Sequence, residues 1–322
     1  MAGDGLCGID VRHPRQGVRL MSPYATDDPV RRARAYLLRV AEPPAPTLVA
    51  FVEVHGPVEA AELLRSGEAP TSLLDATFAQ GATAELADSD FAAAAAVDAR
   101  LVIPEDNEWP AAMALSLHSG GALGLDWAAA PVALWVRGPV DIGVALQRAV
   151  SVTGARAATG YGEHVAGEFG FDLGTAGVTV VSGASYGVDG AVHRGALNAE
   201  GPTIAVLPCG VDVRYPAAHS LLLDRIASTG AVVSEYPPGT PPAKHRCAVR
   251  NRLLATSAAT VIVEAGIRSG ARNVARSAKA LGKTVLAVPG PITSAMSKGC
   301  HDLLRDGTAT VVDSAAQVLS RL

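Results

Sequence analysis

Positive charge is concentrated between Lys244 and Lys283. This segment holds nine Lys or Arg residues against one acidic residue, Glu264, so its formal charge is +8; the whole chain is at −4, which leaves −12 for the remainder. Basic residues release counterions from the phosphates that they neutralise, and such segregated charge is typical of a polyanion-binding surface. A solvated helix face is the alternative, because Arg272 and Arg276 lie four residues apart.

Two glycine-rich segments could bring backbone close to an anion. The first, residues 153–162, contains Arg156, and the second begins at Ser182-Gly183. Glycine permits close approach of the backbone, and the N-terminus of a following helix favours negative charge. The spacing is neither GxGxxG nor GxxxxGK[ST], so phosphate binding is indicated without a dinucleotide or Walker motif. A turn that only packs a helix on a strand is the alternative.

Four prolines within residues 237–242 precede a cluster of basic residues. Proline fixes the backbone and cannot continue a helix or a central strand, which predicts a stiff exposed loop that delivers this cluster. Asp189 and His193, four residues apart, could form an acid/base pair on one helix face. A capping carboxylate and a hydrogen-bonded helix histidine are the commoner explanation for such a pair.

The elements that would position these residues follow a regular pattern. Short β-branched runs alternate with helix-length segments, and their continuous apolar character predicts a mostly parallel, doubly wound α/β sheet covered on both faces. Ligands of such sheets bind beyond the carboxyl ends of the strands. The predicted strands are Leu134–Val136, Ala149–Val152, Val178–Val181, Thr203–Leu207, Ala231–Ser234, Thr260–Glu264 and Thr284–Val288.

The N-terminal third has a different pattern. Residues 1–28 show no periodicity and predict a loose lead. Apolar residues then recur at helical spacing, with a break at Gly56-Pro57, which predicts a small helical domain over residues 29–100. The α/β domain is expected to occupy residues 101–322.

Composition excludes several classes of protein. The four cysteines contain no CxxC pair, which disfavours a disulfide framework or a structural zinc site. The N-terminus lacks a basic segment followed by an apolar run, and no stretch approaches 18 apolar residues. We therefore expect a cytoplasmic protein without a membrane span, and no cofactor is predicted.

Several ordered blocks resemble the DprA (DNA-processing protein A, also called Smf) family. The resemblance covers roughly residues 101–313. Its blocks are Gly154-Ala155-Arg156, Ser182-Gly183 through Asp189, His193–Leu197, Ile204–Leu207 with Cys209-Gly210, Ser234–Thr240, Arg250-Asn251-Arg252, Ser269-Gly270, Val288-Pro289-Gly290 and Gly299 to Gly307.

The resemblance implies an extended Rossmann-like fold with a small helical, SAM-like N-terminal domain. It also implies single-stranded DNA binding, assistance in loading the RecA recombinase during natural transformation or recombination, a homodimer, and no catalysed reaction. The residues that it and the basic cluster assign to single-stranded DNA are Arg156, Ser182, Gly183, Lys244, His245, Arg246, Arg250, Asn251, Arg252, Ser269, Gly270, Arg272 and Asn273.

The sequence departs from the family pattern in three places. Cys247-Ala248 stand where members commonly have Phe-Pro, which removes an aromatic ring on which a base could stack. Either His245 substitutes for it or base stacking is weaker. Val274 and His301 replace a usual threonine and asparagine.

Two other classes of function are open. A Rossmann-like nucleotide phosphoribohydrolase would need a PGGxGT-like loop and a catalytic acid, and the nearest segment, residues 288–292, lacks the second glycine and a carboxylate. A protein-interaction scaffold would bind the recombinase without binding DNA.

Overall fold

The structure, a computed structural model, describes residues 26–78 and 85–322, so most of the predicted lead (residues 1–28) lies outside it. In these residues one nine-stranded sheet has the order β1-β2-β6-β5-β4-β3-β7-β8-β9. The strands are β1 (Ala99–Val102), β2 (Leu134–Arg137), β3 (Ala149–Thr153), β4 (Thr179–Ser182), β5 (Thr203–Leu207), β6 (Ala231–Ser234), β7 (Ala259–Ile262), β8 (Thr284–Ala287) and β9 (Thr310–Val311).

The sheet is mostly parallel. Strands β3 to β9 pair in parallel, and β2 pairs antiparallel with both β1 and β6. Every residue of β3 to β7 is buried, as expected for strands covered on both faces. The predicted doubly wound α/β class is confirmed, and each of the seven predicted strands is present.

Two strands were absent from the prediction, and both lie at edges of the sheet. The two residues of β9 are exposed, and the first two residues of β1 are half-buried. β9 has only two residues and β1 begins with the half-buried Ala99 and Arg100, so the buried apolar run in each is shorter than in the central strands.

The helices of the described residues surround this sheet. They are α1 (Pro29–Val40), α2 (Pro46–Ser66), α3 (Thr71–Asp75), α4 (Glu85–Ala95), α5 (Ala111–Ala122), α6 (Ile142–Ala145), α7 (Gly160–Thr175), α8 (Val188–Asn198), α9 (Ser220–Thr229), α10 (Lys244–Leu254), α11 (Ala271–Ala280), α12 (Lys298–Arg305) and α13 (Ala315–Leu319).

Local signals explain the first two helices. The side chain of Asp28 accepts a hydrogen bond from Val30 N, and Pro29 occupies the first turn of α1, where its missing N–H costs nothing. Gly56 has φ 75° and ψ 162°, which interrupts α2 at the predicted Gly56-Pro57 break.

The N-terminal helices pack directly on the α/β part. Arg31 pairs with Asp106 at 2.7 Å, and Arg34 pairs with Glu105 at 2.7 Å. The ring of Phe91 meets Trp135 of β2 edge-on, with centroids 5.6 Å apart. The two parts therefore share one apolar core, and a domain division near residue 100 stays a prediction.

Candidate nucleic-acid interface

The strand order changes direction beside β3. Strands β4, β5 and β6 follow in order on one side, and β7 begins the other side. Such a switch point opens a crevice beyond the carboxyl ends of the strands. A cleft of ≈ 810 Å³ lies there, lined by residues that follow β3, β4, β7 and β8 and by α10.

The cleft brings together more than half of the predicted site residues. The other six do not line it: the side chains of five contact the protein itself, and the sixth, Gly183, has no side chain. The predicted residues that line the cleft are Arg156, Lys244, Arg250, Asn251, Ser269, Gly270 and Asn273.

Arg156 is the exposed cation of the loop after β3. Hydrogen bonds from Ala155 N to Glu264 O (2.7 Å) and from Val188 N to Ala155 O (3.2 Å) fix the loop between β7 and α8. The guanidinium is exposed, with Nη2 3.6 Å from Cys247 Sγ. The loop backbone is therefore held in place and presents to the cleft an exposed guanidinium whose hydrogen bond to the protein is the one to the Cys247 sulfur.

The N-terminus of α7 is already occupied by a carboxylate. Glu264 is buried and accepts hydrogen bonds from the backbone N and the hydroxyl of Thr159, both at 2.8 Å. Gly162 leaves room for it, since a Cβ there would lie 2.5 Å from Glu264 Cδ. Glu264 thus provides the negative charge that this helix end would attract, and Arg156 remains as the exposed cationic side chain of the loop.

Arg250 is buried at the wall of the cleft, with only 5% of its surface exposed. Nη1 donates to the carbonyl of Val206, while Nε has no hydrogen-bond partner. Gly183 makes its place possible, because a Cβ there would lie 2.6 Å from Nη2. Burial lowers the pKa of Arg250, but a guanidinium keeps its proton at neutral pH. The cleft wall therefore holds a charge without an ion-pair partner among the described residues.

Arg252 points away from the cleft and forms a buried ion pair. Its Nη1 lies 2.6 Å from Glu235 Oε2, its Nη2 bonds the other carboxylate oxygen, and its Nε donates to Ala129 O at 3.0 Å. The two charged side chains are 3% and 4% exposed. This bidentate pair ties α10 to the end of β6.

Arg246 and His245 contact Glu42, a residue of the segment after α1. Arg246 forms a bidentate pair, with Nε 2.7 Å from Oε1 and Nη2 3.0 Å from Oε2. His245 Nε2 lies 3.1 Å from Oε1. Burial acts to raise the pKa of Glu42, but hydrogen bonds from the two basic side chains outweigh it and lower that pKa. These two predicted DNA residues are thus neutralised by the N-terminal helical part.

The basic segment after the prolines is a helix and not the predicted loop. Residues 244–254 contain no Pro or Gly and form α10, and Pro237 and Pro238 in front of it are buried. The predicted loop is therefore limited to residues 239–243, of which Gly239 and Pro241 are exposed and the others are half-buried. Arg246 and Arg250 are four residues apart and lie on the same face of α10, one turn from each other, whereas Arg252, two residues beyond Arg250, projects from the opposite side towards Glu235.

Helix α11 carries a similar mixture. Ser269 and Gly270 precede it at the cleft, and Asn273 is exposed there. Arg272 is largely buried, with Nη1 bonded to Ile267 O and Nη2 3.3 Å from Asp302. Arg272 thus braces the start of the helix.

The remaining polar residues of this region bond to the protein itself, although the buried Nε2 of His193 has no hydrogen-bond partner among the described residues. Ser182 is buried and its hydroxyl donates to Val152 O at 2.7 Å. The carboxylate of Asp189 accepts hydrogen bonds from Thr153 Oγ1 at 2.8 Å and from Ser185 N at 3.2 Å. It therefore acts as a capping carboxylate, the commoner of the two explanations that the sequence left open. His193 Nδ1 lies 2.7 Å from Thr203 Oγ1, and burial lowers the pKa of His193 to about 3. His193 is therefore neutral at physiological pH.

Sequence reasoning missed two cations of the cleft. Arg268 and Lys298 line it together with Arg156, Lys244 and Arg250. Arg268 belongs to the basic segment but was not among the predicted DNA-binding residues. Lys298 lies beyond that segment, at the start of α12, and only its place next to a glycine-rich block could have indicated it.

The arrangement suits the binding of an anionic chain. Among the described residues that line the cleft, the one acidic side chain, Asp189, is engaged by its own hydrogen bonds, and the five cations dominate the surface. In residues 26–78 and 85–322, no three His, Cys, Asp or Glu side chains are grouped as metal ligands. None of the helices in those ranges has the length and apolar character to span a bilayer.

Comparison with known proteins identifies the family. The family of DNA recombination-mediator protein A matches residues 100–322, well over half of the chain. The chain belongs to the DNA recombination-mediator protein A family. The resemblance to DprA and Smf proteins is thereby confirmed, and the chain is a member of a family of DNA-processing recombination mediators.

Relatives of this family match along most of the chain. A Mycobacterium tuberculosis protein named "Putative DNA processing protein DprA" is 49% identical over 285 residues, which are 88% of this chain and 73% of that protein. The X-ray structure of DprA from Streptococcus pneumoniae matches with a TM-score of 0.70 at 28% identity, and covers 90% of this chain and 97% of that one.

A second solved structure concerns DNA. DprA from Helicobacter pylori, whose structure concerns its single-stranded DNA binding mode, matches with a TM-score of 0.54 at 28% identity. The match covers 59% of this chain and 86% of that one.

Proposed function

We propose that this recombination mediator binds single-stranded DNA in the switch-point cleft. The observation that carries the proposal is the set of five cations there, among them the buried guanidinium of Arg250 without an ion-pair partner in the described residues. A buried charge without a partner is costly, and a phosphate would relieve that cost. The Helicobacter pylori relative supports the choice of single strands.

The proposed role is binding and not catalysis. The candidate acid/base pair consists of Asp189, held by Thr153 and Ser185, and a buried His193 whose pKa is about 3. A general base should titrate near the working pH. We therefore expect no nucleotide turnover, and steady phosphoribohydrolase activity that co-purifies with the protein would contradict this.

The bound strand would serve recombination. We propose that the protein acts as a homodimer in the cytoplasm and helps to load the RecA recombinase onto the single strand during natural transformation or recombination. Family membership supports this role. A strand-exchange assay with RecA and a single-strand-binding competitor should show faster exchange when the protein is added. Unchanged exchange despite tight DNA binding would limit the function to DNA binding.

Fluorescence anisotropy tests the central proposal. A labelled single strand and a duplex of equal length are titrated with protein over a series of salt concentrations. We expect tighter binding of the single strand and a steep fall of affinity with salt, since phosphate neutralisation dominates. Equal affinity for the single strand and the duplex, or an affinity that does not change with salt concentration, would contradict the proposal. Retained RecA binding without DNA binding would favour the interaction scaffold.

A further inference from the structure

The cleft has charges for phosphates but lacks an aromatic ring for bases. No Phe, Tyr, Trp or His is among the described residues that line it. Cys247 of α10, whose side chain offers no ring for a base, lies on the cleft wall. His245 is engaged by Glu42. A single strand with unstacked bases gains affinity when an exposed ring accepts a base, so another ring at the rim would be valuable.

Tyr186 is not itself a lining residue of the cleft but is the exposed ring next to that lining in the chain. It follows Ser185, which lines the cleft, and is 47% exposed. The next residue, Gly187, has φ +69° and packs so closely on the loop after β3 that a Cβ there would lie 2.7 Å from Arg156 O. The turn that carries Tyr186 therefore rests directly against the loop that carries the exposed guanidinium of Arg156.

The ring of Tyr186 is supported from the protein side. It meets the ring of His219 at 69°, with centroids 5.0 Å apart. His219 is itself buried, and its Nδ1 donates to Ala184 O at 2.9 Å. A ring held in this way loses little conformational freedom when a base stacks on its exposed side.

The other exposed aromatic residues of the described chain fit less well. Tyr161 donates its hydroxyl to Pro289 O at 2.8 Å, so its ring is tied to the loop after β8. Phe171 is 46% exposed but lies in the last half of α7, far along the helix from the cleft. Phe78 is exposed beyond α3 in the N-terminal part.

We propose that Tyr186 is the base-stacking platform of this cleft and takes one nucleobase while Arg156 holds a neighbouring phosphate. The proposal rests on the proposed binding of single-stranded DNA. Stacking requires the ring and not the hydroxyl, and it tolerates any base because every base has a π face. A role in contacts to protein would not depend on the bases of the DNA.

The test separates base contacts from phosphate contacts. Wild type, Tyr186→Ala, Tyr186→Phe and the control Phe171→Ala are titrated with a thymidine oligonucleotide and with an abasic oligonucleotide of equal length. Tyr186→Ala should weaken binding of the thymidine strand by about 5- to 150-fold, the equivalent of about 1–3 kcal/mol, and should leave abasic binding and its salt slope unchanged. Tyr186→Phe and Phe171→Ala should bind both strands as wild type does.

A spectroscopic signal gives a second readout. 2-Aminopurine placed along the strand should lose fluorescence on binding to wild type and Tyr186→Phe, and much less on binding to Tyr186→Ala. Normal affinity of Tyr186→Ala for the thymidine strand, or an equal loss on both strands, would overturn the proposal while wild-type binding stands. Failure of wild type to bind any single strand would overturn the proposed function as well.

Discussion

Two groups of basic residues that look alike in the sequence differ in the fold. Arg246, Arg250 and Arg252 of α10 lie in one helix, yet each contacts a protein group: Glu42, the carbonyl of Val206 and Glu235, respectively. Arg156 and Lys244, at the cleft, are exposed and have no carboxylate within ion-pair distance in the described chain. Local charge density therefore does not measure the charge that is available to a ligand.

The difference defines three roles for one residue type. Exposed cations can neutralise phosphate, paired cations brace elements, and Arg250 combines burial with an unpaired charge. Substitutions should separate these roles, because bracing affects the free energy of unfolding whereas phosphate contact affects affinity and salt dependence.

The largest expected effect is at the buried pair. Arg252→Ala leaves the carboxylate of Glu235 buried without its partner, and we expect a loss of about 3–5 kcal/mol in the free energy of unfolding. Urea denaturation measures it. Arg276→Ala, an exposed position of α11, should stay within about 0.5 kcal/mol of wild type. If Arg252→Ala were as stable as wild type but bound DNA more weakly, Arg252 would be a DNA-binding residue and not a bracing residue.

A smaller effect is expected at the contact between Gly183 and Arg250. Gly183→Ala places a methyl group 2.6 Å from Nη2 and forces the buried guanidinium to move, at a cost of about 1–3 kcal/mol. In an Arg250→Ala background most of this cost should vanish, which a double-mutant cycle of denaturation measurements can show. Additive effects would mean that the two residues are not coupled.

The central sheet and much of the cleft lining could be predicted from the sequence. Strands β3 to β7 are buried on both faces, so apolar runs marked them clearly. The loop of Arg156 could be predicted because ligands of such sheets bind at strand ends. Lys244 followed from the charge pattern.

The partners of the arginines could not be predicted. Glu42 lies 204 residues before Arg246, and the space beside Gly183 is filled from a helix that begins 61 residues later. No local pattern in a single sequence reports such pairings. The prolines before α10 also suggested a loop. They restrict the backbone only up to residue 243, and from Lys244 onwards residues of good helical propensity form α10.

Arg156 represents the exposed cations, and Arg156→Ala should change DNA binding but not folding. We expect an unchanged free energy of unfolding, weaker binding of all single strands alike, and a log–log salt slope that is smaller by about 0.7, the value of one lost phosphate contact. Arg148→Ala is the matched control, since Arg148 is exposed just before β3, at the opposite end of the strand. If Arg156→Ala folds normally and keeps both affinity and slope, the cleft is not the DNA site.

The smallest change in stability and in DNA affinity is expected at Glu42. Its carboxylate pairs with Arg246 and His245, so these two residues count among the paired cations. Glu42→Gln keeps the shape but removes the negative charge. The pair is partly exposed, so the loss of stability should be below about 1 kcal/mol. Arg246 should keep its place, because its guanidinium also lies 5.2 Å from the ring centre of Tyr236 and donates to Pro241 O. Its charge then becomes available, and single-stranded DNA should bind more tightly, with a salt slope larger by up to about 0.7.

Acid unfolding gives an independent check of the same pair. The pKa of Glu42 is lowered in the folded protein, so its stabilising contribution is complete above the unfolded value near 4.5 and is lost as the pH falls through the folded value. Wild type should therefore lose its advantage over Glu42→Gln below about pH 4.5, and the two proteins should converge in stability there. Two results together would contradict this interpretation: a DNA affinity of Glu42→Gln equal to that of wild type, and a stability difference that does not change with pH. Glu42 would then not neutralise the charge of α10, and the role of Arg246 would be limited to bracing the fold, like that of Arg252.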